Sequence, residues 1–282
     1  MKKILVPTDF SDFALNAAKL AADLAKKTGA RVYFMHAVHI PSTGAGNLPG
    51  FPSSESQNIP EGIFILKHVK KKFKELMAMD FLSGINVGHA ISFNGIFESI
   101  NEQVEKLDID LIIMGTHGTS GYVNDFFIGS NTDKVVRLSE TPVIAIRDEV
   151  KDCVFERIVF ASDFKEGVEN SFDAIQELID LFEAHVDLVR IITRDDFYFS
   201  DPMLEIMEDF AKKRGLKKYK CHVFSADNVQ EGINEFAKRN NANMITTITN
   251  GRRGLARLFN GSVTGDLLKS SPLPILTIKA KK

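Results

Sequence analysis

The sequence predicts an α/β protein made of two tandem copies of one doubly wound, parallel-sheet unit. Three observations carry that expectation. Short apolar, β-rich runs alternate with segments of helical spacing along the chain, which implies parallel strands joined by right-handed crossovers. The opening run Lys3-Ile4-Leu5-Val6-Pro7-Thr8-Asp9-Phe10 is echoed by Arg157-Ile158-Val159-Phe160-Ala161-Ser162-Asp163-Phe164. A glycine-bearing loop also recurs. Ten residues separate Gly115-Thr116-His117-Gly118 from Gly129-Ser130, and nine separate Thr249-Asn250-Gly251 from Gly261-Ser262.

In the first half, residues 3–8 form a β-rich run, and Asp9-Phe10-Ser11 reads as a turn capping a helix. Ala14, Leu15, Ala17, Ala18, Ala21, Ala22, Leu24 and Ala25 then make a broad apolar face at helical spacing. Thr28-Gly29 ends that helix. Residues 31–39 are apolar without alternation, as for a strand covered on both faces. Residues 40–60 are rich in Pro, Gly, Ser and Asn, an irregular stretch long for a compact domain. A lid, a partner contact and plain disorder all remain open for it. Residues 61–80 read as a helix whose lysines Lys67, Lys70, Lys71, Lys72 and Lys74 make a solvated face rather than a binding site. A strand over 85–92, a helix over 94–106, a strand over 109–116, a helix over 130–139 and a strand over 143–146 complete the copy.

The second half restarts the pattern after a boundary near residues 148–155, giving domains of 1–148 and 155–282. Its first strand is the echoed run, and a helix follows over 168–182. A strand over 186–193, a helix over 202–214 and a strand over 219–224 come next. The rest is a helix over 229–239, a strand over 244–249, a helix over 263–269 and a strand over 274–278. Asp9 and Asp163 are 154 apart, whereas Gly129 and Gly261 are 132 apart. The second copy is therefore shorter, as expected if it lacks a counterpart of 40–60.

Composition excludes several function classes. At 282 residues there is length for two cores, and 44% hydrophobic with 26% charged content is ordinary for a globular chain. A formal net charge of -2 supplies no basic field for nucleic acid and no polybasic membrane anchor. No apolar run approaches the roughly 20 residues needed to span a bilayer, and Pro7 with Asp9 cuts short any leader-like core. Cys153 and Cys221 make no disulfide framework, which sets a reducing cytoplasm as the default. No histidine has zinc-like spacing with a cysteine, and no metal site is expected.

The candidate site is an anion site. Glycines allow a close backbone approach, and the first amides of the helix that follows point outward at the positive end of its dipole. Ser130 can cap that helix or bond a phosphate oxygen. In open sheets of this kind, ligands sit beyond the carboxyl ends of the strands where strand order reverses. Asp9, after the first strand, and Gly115, at the end of the fourth, would then share one crevice. Asp9 reads equally as a ligand to a ribose or base edge and as a helix cap.

Both halves resemble the universal stress protein family. The resemblance rests on residues 3–11, Met114-Gly115-Thr116-His117-Gly118, Gly129-Ser130-Asn131-Thr132-Asp133-Lys134-Val135-Val136 and Thr141-Pro142-Val143-Ile144-Ala145-Ile146. In the second half it rests on residues 160–164, Gly261-Ser262-Val263-Thr264 and Leu273-Pro274-Ile275-Leu276-Thr277-Ile278. It implies two tandem Rossmann-like (adenine nucleotide alpha hydrolase-like) domains, each with a five-stranded parallel sheet flanked by helices. It also implies pairing of the two last strands into an intramolecular pseudo-dimer, which could dimerise further. Some family members bind ATP and others do not. By the family pattern, Pro7, Thr8, Asp9 and Ala37 would contact base and ribose. Met114, Gly115, His117, Gly118, Gly129, Ser130 and Asn131 would line the ribose and phosphates, with the His117 imidazole facing solvent.

Neither copy matches the family's nucleotide pattern cleanly. The first has one residue too many between Gly118 and Gly129, and the second has Ile248 where the leading glycine belongs. Arg252, Arg253 and Arg257 favour the second loop, each adding about 0.5–1 kcal/mol toward an exposed phosphate. A lost backbone bond to a charged oxygen costs about 1.5–3 kcal/mol, so glycine geometry outweighs charge and the first half is favoured. Neither loop has a P-loop lysine or a carboxylate pair for magnesium. The expected function is regulatory binding of ATP or AMP, with Mg where triphosphate is bound, on behalf of an unknown protein partner. The alternatives are an interaction module with decayed pockets and a slow ATPase.

Overall fold

The computed structural model describes residues 1–38, 61–116, 129–151, 153–165, 168–194, 196, 203–249 and 263–280. The first half runs β1 (Lys3–Pro7), α1 (Asp12–Thr28), β2 (Arg31–Ala37), α2 (Glu61–Met77), β3 (Val87–Ser92), α3 (Ile96–Leu107), β4 (Leu111–Gly115), α4 (Ser130–Leu138) and β5 (Val143–Ile146). The second runs β6 (Arg157–Ala161), α5 (Asp173–Phe182), β7 (His185–Ile192), α6 (Met203–Lys213), β8 (Tyr219–Ser225), α7 (Val229–Arg239), β9 (Met244–Thr249), α8 (Val263–Ser270) and β10 (Ile275–Lys279). The stretch from Ile40 to Pro60, which the sequence leaves open between lid, contact and disorder, lies outside the described residues.

All ten strands join one sheet in the order β3-β2-β1-β4-β5-β10-β9-β6-β7-β8. Within each half the neighbours are parallel, and strand order reverses between β1 and β4 and between β6 and β9. The halves meet where β5 and β10 pair antiparallel, Ile144 opposite Leu276. The Thr277 hydroxyl donates across that seam to the Val143 carbonyl at 3.3 Å. The resemblance implied this pairing of last strands.

Strands covered on both faces need apolar residues at successive positions, and Ile4, Leu5 and Val6 of β1 are all fully buried. Alternation sends them into two layers. Ile4, Val6, Phe34 and Ile113 pack on the face of α1 and α2, in one cluster with Phe160, Leu188 and Leu276 of the second half. Leu5, Met35 and Ile112 pack on the face of α3 and α4, with Val159, Val189 and Ile245. Each layer thus crosses the seam. Every such side chain fully buried stabilises the fold by about 1.5–3 kcal/mol.

In α1 the buried stripe is mostly alanine, Ala17, Ala18, Ala21 and Ala22 among them. Such small residues let the helix lie close on the strands. Gly29 closes it in the left-handed conformation (φ 73°), its N–H donating to the Ala25 carbonyl. The expected helix over 168–182 is interrupted. A 3-10 turn, Glu169–Ser171, comes first, and α5 starts only at Asp173. Register gives a reason. Gly115 pairs with Ile146 as Ile248 pairs with Ile278. A Cβ at Gly115 would lie 2.8 Å from the backbone of Phe13, in the first turn of α1. In the first half the early start of α1 thus leaves no room for a side chain at that register, and the second half carries Ile248 there with a later helix start.

Candidate functional site

The crevice lies beyond the carboxyl ends of β1 and β4, which are direct neighbours. Its floor is the turn after β1. Thr8 is buried; its N–H donates to the Met35 carbonyl at 2.8 Å, and its hydroxyl accepts from the Phe10 N–H at 3.0 Å. That second bond holds Phe10 at φ 64°, a left-handed conformation costly for a side chain of this size. The second half repeats the arrangement, with Ser162 accepting from the Phe164 N–H at 3.0 Å and Phe164 at φ 52°.

The sequence allowed Asp9 either a ligand or a capping role. The cap of α1 is Ser11, whose hydroxyl oxygen accepts from the Ala14 N–H. Asp9 acts one step back: its Oδ1 accepts from the Ser11 N–H at 3.0 Å and from the Ser11 hydroxyl at 2.6 Å. The carboxylate is thereby fixed at the lip of the crevice. His36, which the sequence did not single out for the site, places Nδ1 2.7 Å from the Thr8 carbonyl oxygen and its ring 5.0 Å from that of Phe10. Its part depends on β2 lying beside β1, a non-local fact that spacing along the chain does not carry. Pro7 is buried, and Ala37 is half-buried at the end of β2 on the α3 side.

The opposite wall is the end of β4 and the start of α4. Met114 is buried in the layer under α3 and α4, and Gly115 faces α1. The Thr132 hydroxyl donates to the Gly115 carbonyl at 2.9 Å, tying α4 to β4. Gly129 is the N-cap of α4, without a side-chain cap bond, and its N–H donates inward to the Thr116 carbonyl at 2.9 Å. Ser130 and Asn131 are exposed at the first helical positions, whose amides have no acceptor within the helix. Lys134, one turn on, is held by Glu98 at 3.1 Å and lies over the Phe97 ring. The Glu98 carboxyl is lowered by a backbone hydrogen bond and by Lys134.

The two motif glycines have different reasons to be glycine. Gly115 is required by the backbone of Phe13. Gly129 sits at φ -56°, open to any residue, and a Cβ there would meet nothing among the described residues closer than the Thr116 carbonyl oxygen at 3.6 Å. His117 and Gly118 lie outside the described residues, as does the second loop from Asn250 to Ser262. Of the eleven residues singled out, the structure thus gathers Pro7, Thr8, Asp9, Ala37, Met114, Gly115, Gly129, Ser130 and Asn131 around one end of the first-half sheet. Among the described residues, no group of three or more His, Cys, Asp or Glu side chains could hold a metal ion.

A model of the universal stress protein family matches residues 1–147 and, a second time, residues 155–279. The chain belongs to the universal stress protein family. Universal stress protein MJ0531 of Methanocaldococcus jannaschii is 31% identical over 160 residues, 54% of this chain and 85% of that protein. Universal stress protein Slr1230 of Synechocystis is 24% identical over 295 residues, covering 99% of this chain and all of the relative. The crystal structure of a universal stress protein from Archaeoglobus fulgidus matches 99% of this chain and 98% of its own, with a TM-score of 0.70 at 18% identity. Slr1230 and the Archaeoglobus structure match the chain over both halves, whereas MJ0531 matches little more than one half. No described helix is long and apolar enough to cross a membrane.

Proposed function

We propose that the first half binds an adenine nucleotide, ATP or AMP, and that the chain is a regulatory protein which passes the bound state to a protein partner. The observation that carries this reading is Gly129. Neither its conformation nor its packing against the described residues calls for glycine, yet a side chain there would stand in front of the first turn of α4. That is where a phosphate would approach the helix N-terminus. With the Gly129 amide engaged by Thr116, the amides of Ser130 and Asn131 take the phosphate, and the Ser130 hydroxyl adds a donor. Asp9, anchored through Ser11, accepts from ribose hydroxyls, and Thr8, Pro7 and Ala37 border the base. Magnesium, where a triphosphate is bound, arrives on the phosphates with most of its water.

The second half carries Ile248 at the register of Gly115 and begins α5 late, so its crevice has a different wall. One nucleotide per chain follows. Calorimetry with ATP, ADP and AMP on the purified protein tests this, together with mass spectrometry of whatever nucleotide is released on denaturation. A stoichiometry near one, abolished by Gly129→Val, supports the reading. No binding at millimolar nucleotide overturns it in favour of an interaction module with decayed pockets. Phosphate release that is lost with Gly129→Val would instead point to a slow ATPase.

A further inference from the structure

The pseudo-symmetry that repeats the fold does not repeat its surface charge. Helices α2 and α6 are equivalents, each crossing between the second and third strands of its half. Both pack on the same face of the sheet, through Val69 and Phe73 in one case and Met207 and Phe210 in the other. Since β3 and β8 are the two ends of the ten-stranded order, these helices flank the molecule on opposite sides.

Their outward faces are complementary. On α2, Lys67, Lys70 and Lys74 are exposed and form no ion pair among the described residues, and Phe64, at 73% exposure, stands beside them with Ile63. On α6, Glu205 and Asp209 are exposed, likewise without an ion pair among the described residues, and Leu204 and Ile206 stand beside them at 51% and 41%. Each helix thus joins uncovered apolar side chains to charge that has no ion pair among the described residues. That charge is basic on α2 and acidic on balance on α6, where the exposed Lys212 lies beside Glu205 and Asp209.

We propose that α2 of one molecule docks on α6 of a second copy, and α6 of the first on α2 of the second, in a closed two-fold dimer. A two-fold axis parallel to the strands, running outside the face that carries α2 and α6, brings both contacts about at once, because the two helices lie on that face at opposite flanks. Such an interface is isologous and needs no other component. Exposed ion pairs are individually weak, so the charges select partner and register while the apolar side chains supply the area.

The test is sedimentation velocity on the full chain at low and high salt. The wild type sediments at twice 31.4 kDa at low salt and shifts toward monomer as salt rises. A variant with K70E and K74E is monomeric, and so is one with E205K and D209K. Mixed in equal amounts, the two recover the doubled mass, because each then presents what the other lacks. Circular dichroism unchanged in both variants shows that the substitutions leave the fold intact. Wild-type monomer at low salt and high concentration overturns the proposal, as does a dimer indifferent to both pairs of reversals. Binding of a monomeric wild type to phosphatidylserine vesicles, lost with K70E and K74E, also overturns it and makes an anionic membrane the occupant of α2.

Discussion

At the scale of single residues, position-specific reasons replace motif membership. Gly115→Ala drives a Cβ to 2.8 Å from the Phe13 backbone and is expected to destabilise the fold by about 1–3 kcal/mol. Gly129→Ala meets no such obstacle, and its effect on stability is expected to stay within about 1 kcal/mol, because the entropy lost from the unfolded chain is opposed by the poorer fit of Ala at an N-cap. Its nucleotide affinity should fall nonetheless. Urea denaturation beside calorimetry reads both effects. Asp187 supplies a second case. It is fully buried, with Arg157 Nε and His222 Nε2 each at 2.8 Å and His185 Nε2 at 3.6 Å. Burial pushes its carboxyl upward, but the hydrogen bonds from Arg157 and His222 and the charges of Arg157 and His185 hold it below the ordinary value. A carboxyl lower in the folded than in the unfolded chain stabilises above about pH 4 and loses that contribution as pH falls through the folded value. Asp187→Asn is therefore expected to cost roughly 2–4 kcal/mol at neutral pH. The gap to the wild type should narrow in melts taken progressively below pH 4. Two thiols complete this scale. Burial first, and then Asp23, pushes Cys153 up to about 12, and burial with Glu208 pushes the less buried Cys221 to about 11. A small alkylating agent at pH 8 should label Cys221 slowly and Cys153 only after unfolding, as peptide mapping would read.

At the scale of elements, the helix caps and strand runs were largely legible. The apolar stripe of α1 and the glycine after it are written locally, and residues 14–25 with Gly29 do in the structure what their spacing says. Ser11→Ala should cost about 1 kcal/mol through the lost cap, and it also removes the hydroxyl bond to Asp9 Oδ1 while leaving the backbone N–H bond in place. Thermal melts report the first effect and weaker nucleotide binding the second. The late start of α5 was not legible, because the register position at which the halves differ, Ile248 in place of Gly115, lies 75 residues further along the chain than Asp173. The same holds for the site. Glycines and the Thr8-Asp9 step mark it in the sequence, whereas the inward turn of the Gly129 amide and the His36 bond to Thr8 depend on pairings between distant strands.

At the scale of the whole molecule, repetition made the architecture readable and the seam made it one body. Val143, Ile144, Ala145 and Ile146 of β5 are all buried by neighbours that include β10. A fragment ending after β5 would bare that strand's edge and its apolar faces, and such edges recruit other chains. Residues 1–150 expressed alone are expected to pair through β5 or to aggregate, and light scattering distinguishes either outcome from a monomer. The antiparallel join at β5 and β10 has one more consequence. It sends the carboxyl ends of the two sets of strands to opposite poles, so the clefts of the two halves open back to back. Whatever occupies one pole cannot touch what gathers at the other, and any message between them has to pass through the packed sheet and the two apolar layers that bridge the join.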